Sequence, residues 1–417
     1  MLKRIIAITF IFVCTSVAWA ILGGTIFTRT YSLDAISQNR VTSTWGAPQN
    51  QAPPDASFKT IVTRQKETIE NNKTLLKTVQ EEVITEVPLE SSSIDVRIDL
   101  EHRQKGLLWY NTYTVAFQGD YGFRNSSDKD QTVDFTLKFP TPQAIYDDLA
   151  FKVDGQDVQI TNHDNMATAT ATIGAGHLAQ LRVGYRSQGL NEWRYSFGNG
   201  NVAQVRDFNL RMRTNFKEID FPDNTLSPSQ KRENGNGWDL RWSFTNLLSG
   251  YQIAMVMPEK LQPGPLAGRI SFFAPVSLLF FFFLMFIITT MRGLELHPMN
   301  YFFLAAAFFS FHLLLAYLVD HVSIHVAFAI SAAVSVFLVI SYLRLVLGMR
   351  FASREAALAQ FVYLVMFSYA FFLQGFTGLA ITIGSVLTLF VVMQVTGRIR
   401  WADKFALKPT QPASQLG

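Results

Sequence analysis

The sequence predicts a membrane protein of mixed class: an N-terminal anchor helix, a β-rich, sandwich-like outer domain and a C-terminal bundle of five transmembrane helices. Three observations predict it. Five long runs carry no Asp, Glu, Lys or Arg: Ile5–Thr28, Ile270–Met291, Leu296–Val319, His321–Leu343 and Ala356–Gly397. Period-two alternation of apolar and polar residues recurs between the first run and the second. The basic residues are segregated, with 26 of the 36 Lys and Arg between Arg29 and Arg269. The other ten are Lys3, Arg4, Arg292, Arg344, Arg350, Arg354, Arg398, Arg400, Lys404 and Lys408.

A bilayer core takes about 20 apolar residues per helix. The last run holds 42 residues, enough for two helices, and Gln374-Gly-Phe-Thr-Gly378 is its natural turn because glycines and polar side chains punctuate structure. The expected count is therefore six helices. The expected domains are an anchor over 1–29, an outer domain over 30–268, a five-helix domain over 269–397 and a tail over 398–417. Short loops rich in Lys and Arg mark the cytoplasmic side. With the N-terminus inside, segments 1–4, 292–295, 344–355 and 398–417 carry all ten remaining basic residues, so both termini are expected in the cytoplasm. The large domain is then outside, since long domains translocate largely regardless of charge.

The net charge of +4 follows from this layout. The outer stretch has 26 basic and 28 acidic residues, whereas the cytoplasmic segments set ten basic residues against Glu295, Glu355 and Asp403. The basic balance is a topology signal, and no basic patch interleaved with aromatics points to nucleic acid. The bilayer is the expected partner of the apolar runs, and Trp401 and Phe405 read as an interfacial tail.

The first run has a competing reading. Met1-Leu-Lys-Arg4 is a basic start, and Ala18-Trp-Ala20 has the small-x-small form of a signal-peptidase site. The apolar stretch continues through Ile21–Phe27, long enough to anchor, and anchoring is the expectation. Cys14 follows Val13 rather than a small residue and reads as a buried hydrophobe. As the single cysteine it excludes an intrachain disulfide, so the outer domain relies on its core.

That domain alternates clearly from residue 94 onward. Ile94, Val96, Ile98 and Leu100 form one face, and Val133, Phe135, Leu137 and Phe139 another. Leu149, Phe151 and Val153 lead into Asp154-Gly155, a hairpin signal, before Val158 and Ile160. Leu181, Val183 and Tyr185 continue the pattern, then Trp193, Tyr195 and Phe197, then Phe208, Leu210 and Met212. Trp238, Leu240, Trp242 and Phe244 follow, and Ile253, Met255 and Met257 close it. Many short strands with one apolar face each bury those faces against one another in a sandwich. Arg40–Ser57 reads as a loop, and so does Asp223–Gly237. Phe58–Val87 fits either a poor helix stripe or a hairpin turning at Asn71-Asn72.

One segment resembles a known family. Leu296-His-Pro-Met-Asn-Tyr301, followed by an apolar helix and Leu318-Val-Asp-His321, is similar to the inner-membrane CreD family. Ser43-Thr-Trp-Gly-Ala-Pro-Gln49 and Arg103-Gln-Lys-Gly-Leu-Leu-Trp-Tyr110 match more loosely, and the family's Gly-Pro after the Gln is replaced here by Ala52-Pro-Pro-Asp-Ala56. The resemblance implies an anchor, a periplasmic domain, a helical bundle and a role in bacterial cell-envelope integrity. It brings no catalytic residues.

The candidate functional residues are the membrane polar groups His297, His312, Asp320, His321 and His325. Ionisable residues in membrane helices are costly and mark relays or ligand sites, and a His–Asp cluster can pass protons or hold a metal. The bland alternative has Asp320 and His321 capping helix ends and His312 bonded to a neighbouring helix; this is the favoured reading. His321 and His325 share a face only if their helix starts early enough. His297-Pro298 fits a helix start, where proline costs nothing. His102, His163 and His177 are scattered. No P-loop, HExxH, nucleophile elbow or dinucleotide fingerprint is present, so no catalytic site, cofactor or metal is expected. Two functions follow as expectations. One is a non-enzymatic envelope protein whose outer domain binds a periplasmic partner. The other is a proton- or ion-linked transporter or channel component, which would need a homo-oligomer because five helices are few and show no inverted repeat.

Overall fold

The computed structural model describes residues 2–70, 73–105, 107–198 and 203–397. Six helices are long and apolar enough to cross a bilayer. They lie in α1 (Leu2–Trp45), α2 (Pro263–Met291), α3 (Pro298–Leu318), α4 (Ile324–Leu347), α5 (Met349–Phe372) and α6 (Thr377–Thr396). The turn between α5 and α6 falls where the glycines predict it, with Gly375 at φ +79°. The expected interfacial tail at Trp401 and Phe405 lies outside the described residues.

The chain folds into two compact units. One contains Met1–Ala35, Gly106–Leu108 and the chain from Leu261 onward; the other contains Ile36–Lys105 and Trp109–Lys260. The helical unit is packed around Trp19, Leu278, Phe281, Met285, Tyr301, Phe308 and Phe311, all buried. Two of its features exceed the charge-bounded runs. α2 begins at Pro263, six residues before Arg269, because proline suits the first helical turn and the exposed Arg269 side chain reaches outward from the second. α5 is not a plain α-helix: Ala352–Ala356 and Phe361–Met366 are π-helical and Ala370–Phe372 is a 3₁₀ turn.

The second unit is β-rich. Its strands are β1 (Gln49–Gln51), β2 (Asp55–Glu70), β3 (Lys73–Glu86), β4 (Leu89–Lys105), β5 (Leu108–Arg124), β6 (Gln131–Lys138), β7 (Tyr146–Val153) and β8 (Gln156–Asp157). Then come β9 (Ile160–His163), β10 (Met166–Ile173), β11 (Leu178–Leu190), β12 (Glu192–Tyr195), β13 (Ala203–Thr214), β14 (Gln230–Asn234), β15 (Gly237–Ser249) and β16 (Ile253–Val256). They build an eight-stranded sheet, β14-β15-β13-β4-β5-β11-β7-β8, a five-stranded sheet, β3-β2-β6-β10-β9, and a small sheet, β1-β12-β16. The alternating residues do what their period demands. Val96, Ile98, Val133, Phe135, Leu137, Leu181, Met212, Trp193 and Trp242 are all at or near zero exposure in one common core. Asp154 (φ 50°) and Gly155 (φ 80°) make the expected hairpin turn between β7 and β8.

Two sequence readings change, and one left open is decided. Arg40–Ser57 is not a loop throughout, since α1 runs to Trp45 before β1 and β2 begin. Extending an existing helix costs no new nucleus, so the weak apolar signal suffices, and Ser43 and Thr44 hydroxyls bond back to the Arg40 carbonyl. Gly46 ends it at φ +97°, where an added Cβ would lie 2.3 Å from the Gln188 carbonyl oxygen. Asp223–Gly237 contains the strand β14, paired to β15 and exposed at every residue, which is why it lacks an apolar face. Phe58–Val87 resolves as the hairpin β2–β3, in register from Ser57 opposite Glu86 to Glu70 opposite Lys73. The turn expected at Asn71-Asn72 lies outside the described residues.

The motifs that carry the family resemblance have structural duties. Trp45 stacks under the Arg103 guanidinium, 3.3 Å from its ring centroid, and Lys260 lies 3.8 Å over Trp109. The buried Gln49 amide donates to Ser187 Oγ at 2.8 Å and to the Gln188 carbonyl at 2.9 Å, which joins β1 to β11.

Candidate functional site

The polar side chains of the helical unit divide into two end clamps and a buried centre. At one end His297 is the N-cap of α3, where its Nδ1 accepts from the Met299 backbone N–H at 3.2 Å. That explains the His before Pro298, which the first-turn preference of proline alone did not. On α1, Arg4 donates to Thr289 Oγ1 at 3.4 Å and to the Tyr301 hydroxyl at 3.5 Å.

At the other end of α3, Arg29 donates to the Ala316 carbonyl at 2.8 Å, pairs with Asp320 at 3.4 Å and lies 5.5 Å from the Tyr317 ring centroid. A guanidinium against the last carbonyls of a helix also suits the helix dipole. Arg4 and Arg29 are 25 residues apart on one helix. That is about 38 Å at 1.5 Å per residue, just wider than a hydrocarbon core of about 30 Å. The two clamps therefore sit where a bilayer would begin and end.

The five residues singled out from sequence do not assemble. Asp320 belongs to the Arg29 clamp. His321 lies in the turn before the N-cap Ser323, and His325 is on the first turn of α4, against Phe372. α4 begins at Ile324, too late to place His321 and His325 on one helix face. Both are exposed.

His312 alone is central and fully buried. Its Nδ1 lies 3.0 Å from the Phe308 carbonyl, which can only accept, so Nδ1 carries the proton and Nε2 is left as an acceptor. The bond is thus to its own helix, one turn back, and not to a neighbour. The Trp19 and Phe311 rings stand edge-on to the imidazole at 5.7 and 4.8 Å. None of these contacts is titratable. Neither His312 Nε2 nor Trp19 Nε1 has a hydrogen-bond partner among the described residues.

The richer interior network was missed in the sequence. Gln360 on α5 donates to Ser335 Oγ at 2.8 Å, and Ser335 donates to the Ala307 carbonyl at 2.6 Å, linking α5, α4 and α3. Ser277 on α2 donates to the Tyr363 carbonyl, and the Tyr363 hydroxyl donates to Thr388 on α6 at 3.1 Å. α5 is thus the hub. Its π turn over 361–366 loosens the regular ladder and leaves the Tyr363 carbonyl available to Ser277. The signal that could have found it is Gln360 itself, an amide in an otherwise apolar stretch. Gln360 Oε1 and Ser271 Oγ are buried without partners among the described residues. Pro275 also removes the intrahelical donor for the Ser271 carbonyl. The network ties helices together, with a few polar atoms to spare.

In the β unit, the Arg211 guanidinium holds the Asp239 carboxyl below its usual range, aided by Arg241. Burial pushes the phenols of Tyr113, Tyr185 and Tyr195 up, and that of Tyr146 to about 12. Among the described residues no three His, Cys, Asp or Glu side chains are gathered as metal ligands.

No curated protein matches the chain. Among solved structures, a candidate nutrient binding protein of Legionella pneumophila is 10% identical with a TM-score of 0.34, covering 57% of this chain and 76% of that one. An M1 zinc metallopeptidase of Deinococcus radiodurans is 11% identical with a TM-score of 0.26, covering 41% of this chain and 42% of that one. The pattern of the family described as inner membrane protein CreD matches residues 1–402. With six apolar helices, a β-rich domain and a match over essentially its whole length, the chain belongs to the CreD family of inner membrane proteins.

Proposed function

We propose that this protein is a non-catalytic support of the bacterial cell envelope, with both termini cytoplasmic and the β unit in the periplasm, where it binds an envelope protein. The orientation rests on the ten basic residues gathered on one side of a six-helix layout. In that layout residues 1–29 anchor, 30–268 lie outside, 269–397 form the bundle and 398–417 the tail.

The observation that carries partner binding is the β2–β3 ribbon. β6 pairs with β2 only over Asp55–Phe58, whereas β2 and β3 continue paired to Glu70 and Lys73. β3 is the edge of its sheet. Ile61 and Ile84, diagonal neighbours on one face of the ribbon, are 67% and 65% exposed. A free edge with exposed branched residues suits an added strand from another protein.

Deleting the gene and challenging cells with detergents and wall-active antibiotics tests the role; unchanged sensitivity removes its main support. Complementation with Ile61→Lys/Ile84→Lys tests the ribbon. Normal protein levels with lost resistance are expected, and full complementation would refute ribbon docking.

The alternative, a proton- or ion-linked path through His312 and the Asp320–His325 region, is favoured by one observation, the buried His312 Nε2 without a hydrogen-bond partner among the described residues. It is weakened by the engagement of Asp320 with Arg29 and by the lack of a titratable contact to His312 among the described residues. Full function in a His312→Ala/Asp320→Asn double variant would discard it.

A further inference from the structure

The last helix, α6, stands apart from the rest of the bundle. Among its described residues only Val392 is buried. Between α6 and α5 lies a groove of about 400 Å³. Its α5 wall is the π-helical segment Phe361–Met366, with the Phe280 ring stacked on Tyr363 at 5.9 Å. Such π turns are rare and frequent at functional sites. Its α6 wall is Ala380, Gly384, Ser385 and Thr388. Small residues on a membrane helix ordinarily let a neighbouring backbone come close. Gly268 on α2 serves that purpose, since a Cβ there would lie 3.3 Å from the Phe27 ring. Gly384 does not: a Cβ there would meet nothing within 4 Å. On the α5 side Val362, Met366, Tyr369 and Leu373 are exposed, so the groove opens onto the surface of the bundle.

We propose that this groove holds one acyl chain of a phospholipid, drawn from the leaflet nearest the α5–α6 turn, with Tyr369 at the level of the headgroup. Polarity, length and volume each point to that occupant. The hydroxyls along the walls are spent on the protein. Ser385 donates to the Ile381 carbonyl at 2.9 Å, Thr388 to the Gly384 carbonyl at 2.8 Å, and Tyr363 to Thr388 at 3.1 Å. A polar ligand would lose its water there for no partner, whereas a hydrocarbon loses nothing. Tyr369, half-exposed near the turn, has the amphipathic ring that sits at headgroup level. From Ala380 to Thr388 the groove follows α6 for eight residues. That is about 12 Å at 1.5 Å per residue, close to the roughly 15 Å of hydrocarbon in one leaflet. A helix about 10 Å across displaces roughly 400 Å³ in each turn, so a second copy could place only one turn here. The proposal rests on helices that cross a bilayer and holds for either orientation of the chain.

The test uses the full chain in liposomes that contain a small fraction of phosphatidylcholine with a diazirine midway along one acyl chain. After irradiation, adducts are mapped to residues by mass spectrometry. Labelling of Val362, Met366 and Ser385 should exceed that of Leu387 and Phe390, exposed on α6 outside the groove, at least threefold. Gly384→Leu, whose side chain enters the free space, should cut the groove labelling at least threefold and leave Leu387 unchanged. Ala380→Leu should do the same, and it decides if the first variant does not fold. Gly384→Cys in a Cys14→Ser background should give no disulfide-linked dimer on oxidation. Equal labelling of the groove and Leu387 would reduce the occupant to bulk lipid and overturn the proposal. Groove labelling untouched by the leucine variants would overturn it too, as would a disulfide-linked dimer, which would give the groove to a second copy.

Discussion

Arg29 fastens α1 to the end of α3, and its removal should cost more than the removal of Asp320. The guanidinium makes three contacts of unequal worth. Its bond to the Ala316 carbonyl comes from a charged donor, a class worth about 1.5–3 kcal/mol. The pair with Asp320 is about 30% exposed on both sides, where ion pairs contribute roughly 0–1 kcal/mol. The stack on Tyr317, an exposed ring, adds about 0.5–1 kcal/mol. Arg29→Ala should therefore destabilise the bundle by about 2–5 kcal/mol. Asp320→Asn should cost about 1 kcal/mol at most, since the Ala316 bond and the Tyr317 stack survive. Arg29→Lys should fall between, because a single ammonium cannot replace the planar fork. Unfolding in mixed micelles of increasing sodium dodecyl sulfate fraction, followed by helical circular dichroism, gives the three values. An Asp320→Asn cost equal to that of Arg29→Ala would refute the argument and return Asp320 to the centre of the site.

Three further outcomes are expected. Asp239 has a depressed folded pKa, so its contribution is present above the unfolded carboxyl value of about 3.9 and is lost as pH falls through the folded one; Asp239→Asn should lower the thermal midpoint at pH 7 and converge with the parent below pH 4, and a gap independent of pH would contradict this. Gln360→Leu should cost only about 0–1.7 kcal/mol in the same micelle assay, since hydrogen bonds between membrane helices are modest and Gln360 Oε1 already lacks a partner among the described residues, so a larger loss would assign Gln360 a role beyond packing. Gly46→Ala should cost at least about 1–3 kcal/mol from the left-handed backbone alone, with the clash on Gln188 added, and unchanged protease resistance of the β unit would show that the helix end can rearrange.

Period and charge made much of this architecture legible. Ile94, Val96 and Ile98 alternate because their strand has one buried face, and the membrane runs stand out because charge is excluded from a bilayer core. What escaped has a physical pattern too. Residues 40–45 prolong a helix that is nucleated elsewhere, so their own sequence need not look helical. β14 is exposed on both faces and so carries no alternation. Gln360 and Ser335 hide because a single polar residue in an apolar run has no period. The histidines were visible, but their grouping depended on where α4 begins, and one turn of difference separates His321 from His325. Arg29 read as a boundary charge, and only its placement against Ala316 shows what it does.

The central claim is a six-helix chain with both termini inside and the β unit outside, and compartment-specific reporter fusions after Gly250, Gly348, Gly375 and Gly417 test it most directly. The account predicts outside, inside, outside, inside. Gly375 and Gly417 matter most, because no charge marks the turn between α5 and α6. An exported reporter at Gly417 would place Arg398, Arg400, Lys404 and Lys408 on the wrong side of the membrane and contradict the account.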